Sequence, residues 1–211
     1  IMGLLCWTSF SRKAQETKQS PLLKLMEGIE TFHPQLSISE NTAGGIGPNF
    51  EKSGFIKKPQ VPLIEDGKLC GALTSPRSSK EFGGETDGAN SSESPQSLHV
   101  SGGTLAVDSI LEEIGRGLYI SNLWYLNFSD AMSCRITGMT RFATFWVENG
   151  KIEAPLNVMR FDESLYRALN TNLIGLTTEQ EFIFDADTYF ERSCSSAKLP
   201  GALIDDFCFT L

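Results

Sequence analysis

The sequence has little histidine, and its two histidines, His33 and His99, stand far apart. A zinc site draws ligands most simply from one face of a helix, as in His-Glu-x-x-His, and neither histidine has that spacing. The sequence contains no Gly-x-Ser-x-Gly motif, which would have indicated a serine nucleophile with a histidine base. We therefore expect both histidines to have surface or structural roles.

Paired cysteines are also missing. The five cysteines are odd in number and widely spaced, and no Cys-x-x-Cys motif occurs. This pattern is typical of reduced thiols in a cytosolic protein and argues against a disulfide framework. The cysteines are Cys6, Cys70, Cys134, Cys194 and Cys208.

The sequence lacks both an excess of positive charge and a long apolar run. Lys and Arg total 18 against 26 Asp and Glu, which gives a net charge of −8. Nonspecific binding to a phosphate backbone needs a basic face, and a membrane helix needs roughly 20 apolar residues. The apolar residues 1–7 lack the basic region of a signal peptide, and we interpret them as a buried strand or helix edge cut from a longer chain. We expect neither a nucleic-acid nor a membrane partner.

The most informative stretch runs from Gly115 to Leu156. Residues 118–128 and 141–147 are rich in β-branched and aromatic side chains, which favours strands, and Asn149-Gly150 favours a type I′ hairpin turn. The aromatic residues of these runs lack the basic surroundings of a nucleic-acid stacking surface, so we expect them to pack in the core. They are Tyr119, Trp124, Tyr125, Phe128, Phe142, Phe145 and Trp146.

A second hairpin is predicted at residues 61–73, with Asp66-Gly67 as its turn. The Ser- and Gly-rich residues 75–95 predict a long exposed loop with a helical turn at 78–82. Further strands are predicted at 35–40, with one wet face, and at 98–100, 181–184 and 202–211.

Three helices are predicted from their end signals. One begins at Ser20 and stops at Gly28, one spans residues 104–114 with Thr104 as its cap, and one is capped by Asp162. Because the helices are few and short, the predicted fold class is α+β, predominantly antiparallel β-sheet with a few short helices packed on it.

The order and spacing of several pieces resemble the C-terminal region of the TldD/PmbA family. A Gly-x-Gly-Leu-Tyr start is followed by a strand, a Thr-Gly turn, the run Phe-Trp-Val-Glu-Asn-Gly-Lys-Ile and a proline. These residues are Gly115, Gly117, Leu118, Tyr119, Thr137, Gly138, Phe145–Ile152 and Pro155. The stretch from Cys194 to Pro200, followed by Leu203 and Phe207, is similar to the family's last strand.

The resemblance implies a division of the chain into two parts. Residues 1–60 are expected to be an incomplete N-terminal or central segment. Residues 61–211 are expected to form the TldD/PmbA-like C-terminal domain.

The resemblance also bears on metal binding. TldD-like members resemble zinc peptidases with a His-Glu-x-x-x-His motif and a cysteine near the C-terminus, whereas PmbA-like members lack the motif and pair with TldD-like subunits. This chain lacks the motif, which implies no catalytic residue and no cofactor within it, but allows zinc in a complete assembly. Cys194 lies roughly where the family places its cysteine and is the one candidate metal ligand. The alternative is that it is a cysteine of a small polar loop.

The implied function is that of a C-terminal domain of a metallopeptidase-related protein, which helps to form a peptide-processing assembly in the cytoplasm and is inactive alone. The implied partners are a TldD-like or PmbA-like subunit, in a homo- or hetero-oligomer, and a peptide or unfolded-protein substrate. The alternative is a non-catalytic PmbA-like subunit that acts as a protein-interaction module. We interpret the family's label as a modulator of DNA gyrase as an indirect effect of proteolysis.

Overall fold

The computed structural model describes residues 1–189 and 191–210. Its helices are Met2–Cys6 (α1), Arg12–Glu16 (α2), Leu23–Met26 (α3), Pro76–Phe82 (α4), Ile110–Ile114 (α5) and Leu165–Ala168 (α6). Its strands are Ile38–Glu40 (β1), Val61–Glu65 (β2), Lys68–Leu69 (β3), Ser97–Val100 (β4), Arg116–Asp130 (β5), Arg135–Glu148 (β6), Lys151–Pro155 (β7), Arg160–Ser164 (β8), Leu173–Phe184 (β9), Ser196–Ile204 (β10) and Phe209–Thr210 (β11). Short 3-10 turns lie at Thr42–Gly44 and Val107–Ser109.

The strands form two sheets. A six-stranded sheet has the order β3-β2-β1-β4-β10-β9, and a five-stranded sheet has the order β11-β8-β6-β5 with β7 also paired to β6. The neighbours β10 and β4 run parallel, and the other paired strands run antiparallel. The predicted α+β fold with mainly antiparallel sheet is confirmed.

Both predicted hairpins are present. Asp66 and Gly67 have φ values of 48° and 76°, and Asn149 and Gly150 have values of 51° and 72°. Positive φ at both central residues is the requirement of a type I′ turn, which matches the twist of the flanking strands. The turns therefore join β2 to β3 and β6 to β7 as their Asp-Gly and Asn-Gly pairs predict.

The hydrophobic core draws on both the first hundred residues and the later part of the described chain. Its fully buried side chains come from the N-terminal segment, the six-stranded sheet and β8 with α6, and include Leu5, Phe10, Leu22, Leu36, Leu63, Phe161 and Leu165. The ring of Phe32 stacks on that of Tyr166 at a centroid distance of 5.6 Å, so residues before 60 pack directly on residues after it. The division of the chain near residue 60 stays a prediction.

The helix predicted at residues 104–114 is shorter than expected. The chain there forms a 3-10 turn at Val107–Ser109 and then α5, and no residue of α5 is buried. The Leu105 N–H donates to the carbonyl of Leu176, and the Thr178 N–H donates to the carbonyl of Leu105. This pairing with β9 holds the backbone around residue 105 extended, so the helix begins later.

The prediction that Asp162 caps a helix is wrong. Asp162 lies within β8, opposite Thr137 of β6, and its carboxylate pairs with the Arg135 side chain at 2.5 Å. Residues 162–164, which were predicted to begin a helix, instead pair with β6. Helix α6 therefore follows Ser164.

The helix predicted from Ser20 is also shorter. The Ser20 hydroxyl accepts from the Leu22 N–H and donates to the Ser9 carbonyl, so it closes a turn before α3 begins at Leu23. The helical turn predicted at residues 78–82 is confirmed and begins earlier, because the Ser75 hydroxyl caps α4 by accepting from the Ser78 N–H.

Two strand predictions also need correction. The strand predicted at 35–40 is shorter, because β1 covers only Ile38–Glu40, and it has no wet face, because Ser39 and Glu40 are both buried. The strand predicted at 202–211 is divided, with β10 ending at Ile204 and β11 covering Phe209–Thr210. Its last residue, Leu211, lies outside the described residues.

Candidate functional site

Cys194 lies in the loop that joins β9 to β10, and its thiol is exposed. Its sulfur lies 3.9 Å from the carbonyl oxygen of Arg192. The loop packs against the segment around Gly47, where an added Cβ would lie 3.1 Å from the Cys194 carbonyl oxygen. An ion pair between Lys52 and Glu191 joins the same two segments. The thiol is therefore accessible and lies near the backbone of its own loop.

The histidines do not approach Cys194 along the sheet. His99 lies on β4 opposite Lys198 of β10, and its ring Nε2 lies 3.1 Å from the Gln180 side-chain nitrogen. Lys198 is four residues beyond Cys194 in sequence, and Cys194 lies outside β10, which begins at Ser196. His33 accepts from the Gln35 N–H through its ring Nδ1 at 3.2 Å and so closes a turn.

These positions decide whether the chain fits a zinc ion. Zinc takes about four convergent ligands from Cys, His or carboxylate side chains. Among residues 1–189 and 191–210, no three such side chains are placed to hold a metal. The described residues therefore do not form a zinc site, and Cys194 offers a single thiolate at most.

The sequence analysis missed a buried carboxylate at Glu93. Its side chain is 2% exposed, and it accepts from the Ser11 hydroxyl at 2.7 Å, the Ser75 N–H at 2.8 Å and the Lys13 N–H at 3.0 Å. Burial by itself would raise the pKa of Glu93, but these hydrogen bonds, together with one from Ser78, outweigh burial and lower that pKa. Glu93 thus joins the starts of α2 and α4, whose residues lie about 80 and 18 positions away.

Two further buried acids secure the same region. Glu40 accepts from the N–H groups of Gln96 and Ser97, and Asp87 accepts from those of Thr74 and Ala89. Burial raises the pKa of both carboxyl groups, despite these hydrogen bonds. Each acid accepts hydrogen bonds from backbone N–H groups. Asp87 thereby stabilises the loop of residues 75–95, and Glu40 stabilises the segment that follows it. The two acids are not arranged as an acid/base pair.

The five-stranded sheet leaves one large surface uncovered. No described residue of β5 is buried, and none of β7 is buried. The expectation that the aromatic residues of the long hairpin pack in the core is wrong for most of them. Tyr119 is 37% exposed, Trp124 48%, Tyr125 74% and Phe142 72%. Among the described residues β5 pairs with β6 alone, and of its aromatic side chains Phe128 packs partly against the core, whereas Tyr119, Trp124 and Tyr125 are exposed.

Three of these aromatic side chains, Trp124, Tyr125 and Phe142, form together with Arg141 what we call the Trp124 cluster. The Arg141 guanidinium lies 4.1 Å from the Trp124 ring centroid and 4.5 Å from that of Phe142. The rings of Trp124 and Tyr125 meet edge to face at 6.0 Å. Tryptophan, tyrosine and arginine are the side chains that dominate binding energy at protein interfaces.

The backbone beneath the Trp124 cluster is irregular. Tyr125 has a φ of 51° and Phe142 has a φ of 59°, which is the left-handed region that bulky side chains rarely adopt. The strand register shifts at both positions. Bulges of this kind redirect side chains, and here they accompany aromatic rings that face solvent.

Comparisons with known proteins place the chain in a family. Residues 1–210 match the family model described as the PmbA/TldA metallopeptidase C-terminal domain. No match is found among curated proteins. In the described part of the chain, none of the helices has the length and apolar character needed to cross a membrane.

The fold is similar to that of three solved structures. TldE from Thermococcus kodakarensis matches with a TM-score of 0.79 and 17% identity over 99% of this chain and 48% of that protein. A protein described as a modulator of a DNA gyrase, from Thermotoga maritima, matches with a TM-score of 0.76 and 16% identity, over 98% and 46%. A similarly described protein from Bacteroides thetaiotaomicron matches with 0.73 and 18%, over 98% and 43%.

This chain thus spans less than half the length of each of the solved structures that it matches. The resemblance noted in the residues 115–156 and 194–207 is confirmed, and it extends to the first residues of the chain. The chain belongs to the PmbA/TldA metallopeptidase family, of which it is the C-terminal domain.

Proposed function

We propose that this domain is a subunit-forming part of a peptide-processing assembly, and that another part of the assembly carries out the hydrolysis. The observation that carries the proposal is the uncovered surface of the five-stranded sheet, where β5 has no described buried residue and the Trp124 cluster faces solvent. Exposed apolar surface of this composition is typical of protein interaction sites. The substrate is a peptide or an unfolded protein, and the assembly works in the cytoplasm.

The partner in this proposal is a related subunit, of either the TldD-like or the PmbA-like type. The net charge of −8 supports a protein partner over DNA, because DNA binding relies on neutralising phosphates with Lys and Arg. The effect on DNA gyrase implied by the names of similar proteins is then indirect, through proteolysis.

Zinc enters the proposal only at the level of the complete assembly. The described side chains of this chain do not form a zinc site, so most ligands must come from another part of the protein or from the partner. Cys194 is the residue of this chain that we propose as a contributor, since its thiol is exposed in a loop. The alternative is that the chain is a non-catalytic PmbA-like subunit that serves as an interaction module, and an assembly without zinc would favour it.

The test is the zinc content and peptide-cleaving activity of the chain, alone and purified with its native partner or upstream segment. We expect neither zinc nor cleavage from the chain alone. We expect about one zinc per active site, together with cleavage, from the assembly. An assembly that holds no zinc in any preparation and cleaves no peptide would contradict the peptidase role and leave the interaction module.

The role of Cys194 has its own test within the same assembly. Cys194→Ser removes the thiolate, and Cys70→Ser is the matched control because Cys70 is also exposed. If Cys194 binds zinc, only the first variant should lose metal affinity, by about 10-fold or more. Equal zinc content in the two variants would show that Cys194 is not a ligand.

A further inference from the structure

A small polar pocket lies where the end of β1 meets the loop of residues 75–95. Its volume is about 10 Å³, which is about the space that a single water molecule needs. Most of the side chains that line it are polar or charged, among them Glu40, Thr42, Lys57, Lys58, Asp87 and Asn90. The pocket is therefore too small for an organic ligand, and its lining differs from that of the apolar cavities that stay dry.

Thr42 indicates that this pocket binds a ligand. Its side chain is 7% exposed, and its buried hydroxyl oxygen has no hydrogen-bond partner among the described residues. A buried hydroxyl without a partner costs free energy, and nearly all such groups in proteins bond to another protein group or to an ordered water. The Thr42 hydroxyl is therefore available to a molecule in the pocket.

Glu40 and Asp87 provide acceptors on the other sides of the pocket. Both side chains are 6% exposed, and each carboxylate accepts from two backbone N–H groups. Because a carboxylate has about four acceptor positions, each keeps capacity for a further donor. Burial raises the pKa of Glu40, the nearby charge of Asp87 raises it further, and that of Lys57 lowers it. The three charged groups thus lie within electrostatic range of one another.

Lys57 provides a second donor. Its side chain is 9% exposed, and its ammonium group donates to the Gln96 side-chain oxygen. An ammonium group has three N–H donors, so Lys57 can make further bonds. A water molecule donates two hydrogen bonds and accepts two, and the pocket offers two carboxylates as acceptors and a hydroxyl and an ammonium group as donors.

The charges of the pocket favour a neutral ligand. The two acids are balanced by Lys57 and Lys58, so neither a cation nor an anion gains from the net charge. Among residues 1–189 and 191–210, no three Cys, His, Asp or Glu side chains are grouped to hold a metal. Water is the neutral molecule that fits both the size and the polar groups.

We propose that this pocket binds one ordered water molecule, which is hydrogen-bonded to the Thr42 hydroxyl and bridges the carboxylates of Glu40 and Asp87. The bridge connects β1, which ends at Glu40, to the loop of residues 75–95, which contains Asp87. It is therefore one of the attachments of that loop to the six-stranded sheet. This inference goes beyond the proposed function and does not depend on it.

The first test is a count of the bound water molecules. Oxygen-17 magnetic relaxation dispersion counts the waters that stay bound for longer than the protein takes to rotate. Thr42→Val removes the hydroxyl and should lower the count by one. Thr42→Ser keeps the hydroxyl and should leave the count of the wild-type chain unchanged. Equal counts for the wild type and Thr42→Val would overturn the proposal.

The second test is the sign of a change in stability. Removing a buried hydroxyl lowers stability where the hydroxyl has a partner, and is neutral or stabilising where it has none. Thr42→Val should therefore lower the midpoint of urea unfolding. The matched control is Thr144→Val on β6, whose hydroxyl is also buried and without a partner among the described residues but does not line this pocket. Its midpoint should stay equal or rise. Equal shifts of the two midpoints, or a higher midpoint for Thr42→Val, would contradict the proposal.

A third comparison separates water from a cation. The midpoint of the wild-type chain should be the same in sodium chloride and in choline chloride at equal ionic strength, because a water site does not depend on the cation. A midpoint that rises with sodium alone would place a cation in the pocket and overturn the proposal. None of these results changes the zinc and peptide measurements on the native assembly, so the two proposals succeed or fail separately.

Discussion

The two sheets of this domain are built from similar side chains but put them to different uses. In the six-stranded sheet, every residue of β1 is buried, and Leu63 and Ile64 of β2 are in the core. In the five-stranded sheet, β5 and β7 bury no described residue, although they carry aromatic and branched side chains. Strands β6 and β8 of the second sheet also contribute core residues such as Ile136 and Phe161, so the contrast lies between the buried strands and the exposed β5 and β7.

Polar groups differ in a related way between the buried and the exposed parts of the fold. Glu40, Asp87 and Glu93 are buried near the six-stranded sheet, and each accepts hydrogen bonds from backbone N–H groups. On the five-stranded sheet, Glu163 of β8 is buried in the same way, whereas Arg141 lies over aromatic rings that face solvent. Substitutions of the buried residues and of the exposed Trp124 cluster should therefore have separable effects.

The largest expected difference comes from truncating one side chain in each sheet. Leu63 is fully buried, so Leu63→Ala should lower the free energy of unfolding by about 3–5 kcal/mol through lost burial and a cavity. Trp124 is 48% exposed, so Trp124→Ala should lower it by less than about 1 kcal/mol. Urea unfolding measures both. Similar losses from the two variants would show that the hairpin surface is part of the stabilising core.

The next difference concerns the two hairpin turns, which share local chemistry but not surroundings. A Cβ on Gly67 would lie 2.1 Å from the Phe32 carbonyl oxygen, whereas one on Gly150 would lie 3.2 Å from the Glu112 Cα. Both glycines have positive φ, so alanine is strained at either position by about 1–2 kcal/mol. Gly67→Ala should therefore lower the melting temperature clearly more than Gly150→Ala. The reverse order would mean that the turn of the exposed sheet is the more constrained.

A smaller effect is expected from the buried carboxylate. Glu93→Gln leaves one acceptor oxygen for several donors and should cost about 2 kcal/mol at neutral pH. The control is Glu85→Gln, on an exposed residue of the same loop, which should have little effect. Chemical denaturation at neutral pH compares the two variants with the wild type.

The cost of Glu93→Gln should also depend on pH. The folded-state pKa of Glu93 is lowered, so its stabilisation is full above the unfolded-state pKa and is lost as the pH falls through the folded-state value. The difference between wild type and variant should therefore shrink in acid. A difference that stays constant down to low pH would show that the charge of Glu93 does not stabilise the fold.

The features that the sequence predicted correctly are those set by neighbouring residues. Asp66-Gly67 and Asn149-Gly150 produce their turns because the conformation depends on the two residues themselves. The strands on either side follow from β-branched and aromatic composition, which indicates a pleated surface. The order of these pieces also carried the family resemblance.

The features that it did not predict depend on distant contacts. Aromatic composition indicates a strand but not whether a second layer covers it, so the exposure of Tyr125 and Phe142 could not be predicted. Residue 105 leaves its helix because it pairs with β9, some 70 residues later. Glu93 stands in a serine-rich loop with no local signal, because its partner Ser11 is 82 residues away.

The central claim is that the five-stranded sheet forms the assembly surface of this domain, and hydrogen exchange tests it most directly. Deuterium uptake is measured by mass spectrometry for peptides covering Arg116–Trp124 and Lys151–Pro155, in the chain alone and in the native assembly. We expect the β5 amides to exchange markedly more slowly in the assembly, because the partner then shields this surface from solvent, while those of β7 change little. If the assembly forms and β5 exchanges as fast as it does in the chain alone, the assembly surface lies elsewhere and the account is wrong.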